Sequence, residues 1–416
     1  MSGLIVELYG NALGTLSQER NRFNFEVDRN VFEKYSLSST IMSLSVPLNL
    51  HYTNAQKKRS DNFFAELLPE GRNFEWLLQS LPRGERTHYG LLRKCGKDIA
   101  GALSIYDPAE SSSSPPAVAE PIDGKGIRYL LEHMPQAALG NSPVSGKTSL
   151  GGVQGKILLA RVNALWHRVH HGYPSTHILK PPAPEYPTLI YDEAFCMRLA
   201  HASGLTEHPV WIETFDGVDA LVIERYDRKA EALGGRIHQE DFNQALGARG
   251  TEKYQEYGGK VSAKRIAQTL ARFGKSEDVR GFAAQLIFAI AIGNLDLHAK
   301  NISILHHPDE TITLAPTYDQ VPLRHQNTDG RMALAVNGKY LHASLTLADL
   351  IAELSAWPGL GFSEQTQAAD FIKNSLATYG DVLNDTAPEQ KAYPNLKSEI
   401  SSFITRLRSG QEIGTP

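Results

Sequence analysis

Within the nine residues Gly293-Asn294-Leu295-Asp296-Leu297-His298-Ala299-Lys300-Asn301, a carboxylate, an imidazole, an ammonium and an amide follow one another. A phosphoryl-transfer loop needs an aspartate to orient the attacking hydroxyl and, further along, an asparagine whose amide oxygen reaches the metal beside the phosphates. Asp296 and Asn301 stand five residues apart, which is the offset of those two roles. A hard cation such as Mg²⁺ wants more oxygen ligands than one amide supplies. Asp319 offers a second, at the end of the strand-like Thr311 to Tyr318. On their own Asp296 and Asn301 also suit turn-capping, so the supporting chemistry has to come from upstream.

The elements that would hold this loop are legible on both sides. Phe282 to Ile292 is apolar except for Gln285 and reads as a buried helix ending at Gly293, where a missing Cβ permits a left-handed cap. Ile302 to Leu305 resumes as a β-prone segment. Upstream, Ser145 to Lys156 carries Gly146, Gly151, Gly152 and Gly155, and glycines let backbone amides approach phosphate oxygens. Gly146-Lys147-Thr148 is not the end of a Walker motif, because Asn141 replaces its first glycine and no helix follows. A flap over a nucleotide fits better, and a flexible turn is the plain alternative. Thr176 to Lys180 is a strand ending in a lysine of the kind that pairs nucleotide phosphates. Glu193, near the start of the helix Tyr191 to Ala200, is either the acidic partner of Lys180 or an acid placed for the helix dipole. Leu221 to Asp227 is a buried strand running into a polar end, where a hinge would offer backbone groups to an adenine or where a strand simply stops.

The remainder bounds the class. A chain of 416 residues holds two or three domains, its formal charge of −4 is interspersed, and nothing resembles a nucleic-acid footprint made by the chain alone. Cys95 and Cys196 lie far apart without ligand spacing, no apolar run reaches the roughly 18 residues of a membrane helix, and Leu4 opens strand-like rather than as a signal peptide. A cytoplasmic protein with no membrane contact is expected. Leu4 to Leu16 reads as a hairpin, Phe23 to Val27 and Met42 to Val46 as alternating strands, and Phe63 to Leu68 and Asn73 to Leu81 as helices split at Pro69-Glu70-Gly71. Gln239 to Phe242 is expected to open a helix and Ile266 to Phe273 to form another, and amphipathic helices dominate from Leu341 to Leu407. The clusters His167, His170, His171 and His306, His307 read as solvated loops rather than a metal site. Asp107 to Pro121 has a linker composition. The expected layout is a β-rich unit over 1–108, a linker over 109–122, an N-lobe with glycine-rich loop and hinge over 123–232, and a helical C-lobe over 233–416.

Glycine-rich loop, strand lysine, helix glutamate, hinge strand, Asp296 with Asn301, then Asp319 is the chain order of a two-lobed kinase. The sequence resembles the HipA family of serine/threonine kinases, toxins of bacterial type II toxin-antitoxin modules, over nearly its whole length. The resemblance rests on Ser43 to Leu48, Phe64 to Gly71 and Asp98 to Leu103 in the first part, and on Ser149 to Lys156, Thr176 to Lys180, Glu224 to Arg228, Gly293 to Asn301 and Tyr318-Asp319 in the second. It implies an α+β, two-lobed protein-kinase-like fold related to the phosphoinositide kinases. It further implies Asp296 as the catalytic aspartate, Asn301 and Asp319 as Mg²⁺ ligands, and ATP contacts from Gly151, Gly152, Val153, Gln154, Gly155, Lys156, Lys180, Glu224, Arg225, Tyr226, His298 and Lys300 as well as Asn301 and Asp319. Ser149 matches the serine the family autophosphorylates. The implied partners are an aminoacyl-tRNA synthetase as substrate, a helix-turn-helix antitoxin of the HipB type, and operator DNA only through that antitoxin. Gly155 departs from the family, where an acidic residue is common, and the linker is longer and more polar than expected. The same catalytic loop also suits a small-molecule or lipid phosphotransferase, and a kinase kept only as an inactive corepressor is the non-enzymatic alternative.

Overall fold

The computed structural model describes residues 3–111, 115–134 and 155–414, and its architecture is α+β. Strands β1 (Leu4–Leu8), β2 (Asn11–Glu19), β3 (Arg22–Val27) and β4 (Leu103–Tyr106) form one sheet in the order β3-β2-β1-β4. Alternation buries Leu4, Val6 and Leu8 on one face of β1, and β2 meets β3 with Leu16 opposite Phe25. The helix Asn54–Glu66, opened by a reciprocal capping box between Thr53 and Gln56, lays Phe63 and Phe64 onto this sheet. Burying each such ring contributes on the order of 1.5–3 kcal/mol.

The expected strand Met42 to Val46 is absent. Ser43 Oγ and the Leu44 N–H instead donate to the carboxylate of Glu240, so the backbone follows a buried acid rather than a neighbouring strand. The linker-like stretch is also partly built. It holds a short helix, Pro108–Ser111, and strand β5 (Val118–Pro121), which pairs with a strand containing two of the histidines expected in loops.

The second sheet comprises β5, β6 (Ile157–Val162), β7 (Leu165–His170), β8 (His177–Lys180), β9 (Val210–Phe215) and β10 (Val218–Glu224), in the order β5-β7-β6-β8-β10-β9. The helix Leu189–Ala202 packs against β9 and β10. Beyond it, β11 (His238–Asp241), β12 (Ser303–His306) and β13 (Ile312–Leu314) make a small antiparallel sheet. Gln239 to Asp241 is therefore strand, and the helix expected there begins only at Phe242. His306 is buried in β12 with Nε2 3.1 Å from Glu240, which corrects its assignment to a solvated loop.

The helix Ser276–Ile292 is buried on every side from Phe282 onward except for a half-buried Ala284, because the helices Ala263–Phe273, Gln365–Asp385 and Leu396–Arg408 enclose it. It ends at Gly293 with φ of 73°, and a Cβ there would sit 2.7 Å from Arg324 Cγ. Both the backbone and the space require glycine. No helix among the described residues is long and apolar enough to cross a membrane.

Candidate active site

A cavity of about 830 Å³ lies between the second sheet and the helical part, with Arg72, Trp76 and Ala100 of the first unit at its edge. It is lined by Gly155, Lys156, Lys180, Glu224, Arg225, Tyr226, Asp296, His298, Lys300, Asn301 and Asp319, residues up to 164 positions apart in the chain. Ser149, Gly151, Gly152, Val153 and Gln154 lie outside the described residues.

The strand β8 and the helix Leu189–Ala202 converge so that Lys180 Nζ sits 2.8 and 3.1 Å from the two oxygens of Glu193 and 2.7 Å from Asp319 Oδ1. The sequence left Glu193 between partner and dipole filler; the structure makes it the partner. Lys180 and Glu193 are both buried. Burial opposes the charge on Lys180, but Asp319 and Glu193 outweigh it and hold the ammonium protonated. Burial likewise opposes the Asp319 carboxylate, and the charge and hydrogen bond of Lys180 override it, bringing Asp319 down to about 2. Lys156, at the entry to β6, goes the other way. Its burial, reinforced by repulsion from Lys180, lowers it to about 8.

Asp296 stands on the opposite wall. Its backbone N–H donates to Asn294 Oδ1 at 2.9 Å, Asn301 Nδ2 donates to its carbonyl at 3.0 Å, and Tyr254 donates its hydroxyl to Oδ1 at 3.1 Å. Its side chain is 46 % exposed, but to a walled cleft rather than to bulk solvent. Desolvation, reinforced by the like charge of Asp319, raises it to about 6 against the pull of Lys253 and the Tyr254 hydroxyl. That value suits a group that must accept a proton near neutrality. His298, lowered to about 3 by burial and Lys253, stays neutral.

Two lining residues spend their charges elsewhere. Arg225 turns its guanidinium to Asp227 Oδ1 and Oδ2 (3.0 and 2.8 Å), to Ser175 Oγ (2.8 Å) and to Ile99 O (3.1 Å), a buried network that also takes in Asp98 and Arg228. The Glu224 N–H donates to Pro209 O, the Arg225 N–H to Thr176 O, and the Arg225 carbonyl accepts the Arg228 N–H. Lys300 places its ammonium 2.8 Å from Glu66 and 2.7 Å from Glu70.

Among the described residues, Asn301 keeps its amide oxygen uncommitted once Nδ2 is given to Asp296, and Asp319 keeps Oδ2 once Oδ1 is given to Lys180. No group of three or more His, Cys, Asp or Glu among the described residues could hold a metal ion. Two protein oxygens with the remaining positions left to phosphates and water is the donor set that Mg²⁺ takes at a nucleotide, so the residues present fit that ion.

Sequence reasoning missed Lys253, Tyr254, Glu66 and Glu70. Glu66 and Glu70 were within reach, since they belong to the Phe64 to Gly71 stretch that carries part of the resemblance. Lys253 and Tyr254 sit in an irregular segment with no periodic signal.

Comparison with known proteins decides the family. The HipA N-terminal domain profile matches residues 4–106 and the HipA-like C-terminal domain profile residues 148–380. The chain belongs to the HipA family. Y4mE of Sinorhizobium fredii, a kinase by assignment of name only, is 32 % identical over 392 residues, covering 91 % of each chain. The serine/threonine-protein kinase toxin HipA of Shewanella oneidensis is 26 % identical over 421 residues, covering 95 % of this chain and 91 % of its own. The structure of Shewanella oneidensis HipA with HipB and its operator DNA superposes with a TM-score of 0.75 at 23 % identity, over 98 % of this chain and 96 % of that one. The α+β fold is thus that of HipA.

Proposed function

We propose that this HipA-family protein is an ATP-dependent serine/threonine protein kinase. The observation that carries the reading is the buried Lys180–Glu193 pair joined to Asp319 and facing Asp296 across one cavity. Lys180, with Lys156 at the end of the glycine-rich stretch, would hold the nucleotide phosphates, and the hinge segment Glu224 to Tyr226 would take the adenine through its backbone. Asn301 and Asp319 would hold Mg²⁺, which when bound offsets charge on the phosphates. Asp296 would orient the acceptor hydroxyl and take its proton. The layout 1–108, 109–122, 123–232 and 233–416 separates a β-rich unit, a connecting stretch and the two lobes of that kinase.

Family membership supports an acceptor and a partner. The protein would act as the toxin of a toxin-antitoxin module in the cytoplasm. It would be held by a helix-turn-helix antitoxin of the HipB type, reach operator DNA only through it, and phosphorylate a component of translation, an aminoacyl-tRNA synthetase. Phosphate on Ser149 would add roughly 1.5 to 2 negative charges beside a bound nucleotide's own and expel the loop that carries it. Incubating purified protein with labelled ATP, Mg²⁺ and a set of aminoacyl-tRNA synthetases tests the reading: label in one synthetase is expected, and label in none of them removes the substrate assignment. Mass spectrometry of the same reaction should find Ser149 phosphorylated, and the modified form should bind ATP more weakly; an unmodified Ser149 after prolonged incubation rules out the self-inactivation.

A further inference from the structure

Lys300 lies between Asp296 and Asn301 on the loop that would run the chemistry, and only 7 % of its side chain is exposed. An ammonium in that position must be neutralised. Asp241 of the helical lobe acts on it through space, but its two direct ion-pair partners do not come from either kinase lobe. Glu66 Oε2 lies 2.8 Å and Glu70 Oε1 2.7 Å from its Nζ, both from the end of the first unit's helix and the turn after it.

Each carboxylate is itself anchored on the far side. Glu66 accepts the Gly250 N–H at 2.9 Å and Asn243 Nδ2 at 3.0 Å. Glu70 takes Lys253 Nζ at 2.9 Å, and Lys253 lies over the ring of Tyr254, whose hydroxyl reaches Asp296. The Lys300 carbonyl accepts the hydroxyl of Tyr318, the residue before Asp319. The Lys300 ammonium therefore ties the first unit to the loop between Asp296 and Asn301, and the Lys300 carbonyl ties that loop to the residue before Asp319.

We propose that Glu66 and Glu70 are positioning residues for phosphoryl transfer, which act through Lys300 to hold the catalytic loop in place. The proposal rests on the kinase reading and assigns the first unit a part in it. Without these carboxylates Lys300 is left to Asp241, which already acts on it, to the acids that line the same cavity, Asp296 and Asp319 among them, and to the nucleotide, and a loop drawn toward any of them loses the alignment of Asp296 with Asn301. The hinge wall is held separately, by Asp98 on Arg228 at 2.9 Å and by Ile99 O on Arg225 and Arg228. Nucleotide affinity should therefore survive a change at Glu70 while turnover falls.

The test is steady-state phosphate transfer from Mg-ATP by the full chain. Glu70→Gln is expected to lower kcat about tenfold with KM for ATP within about twofold, and Glu70→Asp to recover part of the loss. In a Lys300→Met background the loss of kcat on Glu70→Gln should be smaller than in the wild type, leaving only the part that runs through Lys253 and Tyr254. Glu66 is buried and Glu66→Gln could lose the fold, so Glu70, at the edge of the cluster with 24 % of its side chain exposed, carries the test. An unchanged kcat in Glu70→Gln, a loss shared equally by KM, or an undiminished loss in the Lys300→Met background overturns the proposal while the kinase reading stands. A wild type that transfers no phosphate overturns both.

Discussion

Asp296 and Asp319 share one cavity and one residue type, and their surroundings push them in opposite directions. Asp319 touches Lys180 at 2.7 Å and is held near 2; the Asp296 carboxylate takes the hydroxyl of Tyr254 and faces the neutral ring of His298 at 4.0 Å, and it rises to about 6. Burial acts on both in the same sense, so the difference is the cation. One wall of the cleft keeps a permanent anion, as a metal ligand needs. The other keeps a carboxylate that can exchange a proton near neutral pH.

The largest expected effect comes from removing the permanent anion. Asp319→Ala should reduce phosphate transfer from Mg-ATP by more than about 10⁴-fold, since it removes both the carboxylate proposed to hold the metal and a partner of Lys180. A rate assay on protein shown folded by circular dichroism checks this. Asp296→Asn should lose about 10²- to 10⁴-fold, the range of a positioned general base. A toxicity assay in cells reads the same loss as restored growth.

The two aspartates should also separate in stability against pH. Asp296 has a folded-state pKa above its ordinary 3.8, so its contribution is fully present below about 3.8 and is lost as pH rises through about 6. Asp319 is depressed, so its contribution is present above about 3.8 and is lost as pH falls toward 2. Asp296→Asn should accordingly raise Tm at pH 8 and change it little at pH 4, whereas Asp319→Asn should lower Tm at pH 8. Thermal melts at the two pH values compare them directly. The smallest effect is expected from Tyr254→Phe, which removes a hydrogen bond that holds Asp296 down. The acid limb of the pH–rate profile should move upward by a few tenths of a unit, with the plateau rate falling less than about threefold.

What could be read from the chain was local. The Asp296 to Asn301 offset, the apolar run into Gly293 and the lysine closing a strand are statements about neighbours, and the fold places them as neighbours. The direction of a side chain is not local. Arg225 stands on a segment whose position was legible, yet its guanidinium is divided between its neighbour Asp227 and the carbonyl of Ile99, on a loop 126 residues earlier. Ser43 and Ser45 alternate with apolar residues as strand residues do, and only the presence of Glu240 nearby explains why they form none. Glu66 and Glu70 look like a helix end and a turn, and become part of the site only because Lys300 arrives beside them in three dimensions.

The most direct measurement is a titration of ATP against Asp296→Asn and Asp319→Ala with and without Mg²⁺. Asp296→Asn is predicted to bind with wild-type affinity and to keep the Mg²⁺ dependence, while Asp319→Ala loses that dependence. Equal loss of Mg²⁺-dependent binding in both variants, or its retention in Asp319→Ala, would contradict the division of labour between the two walls of the cleft.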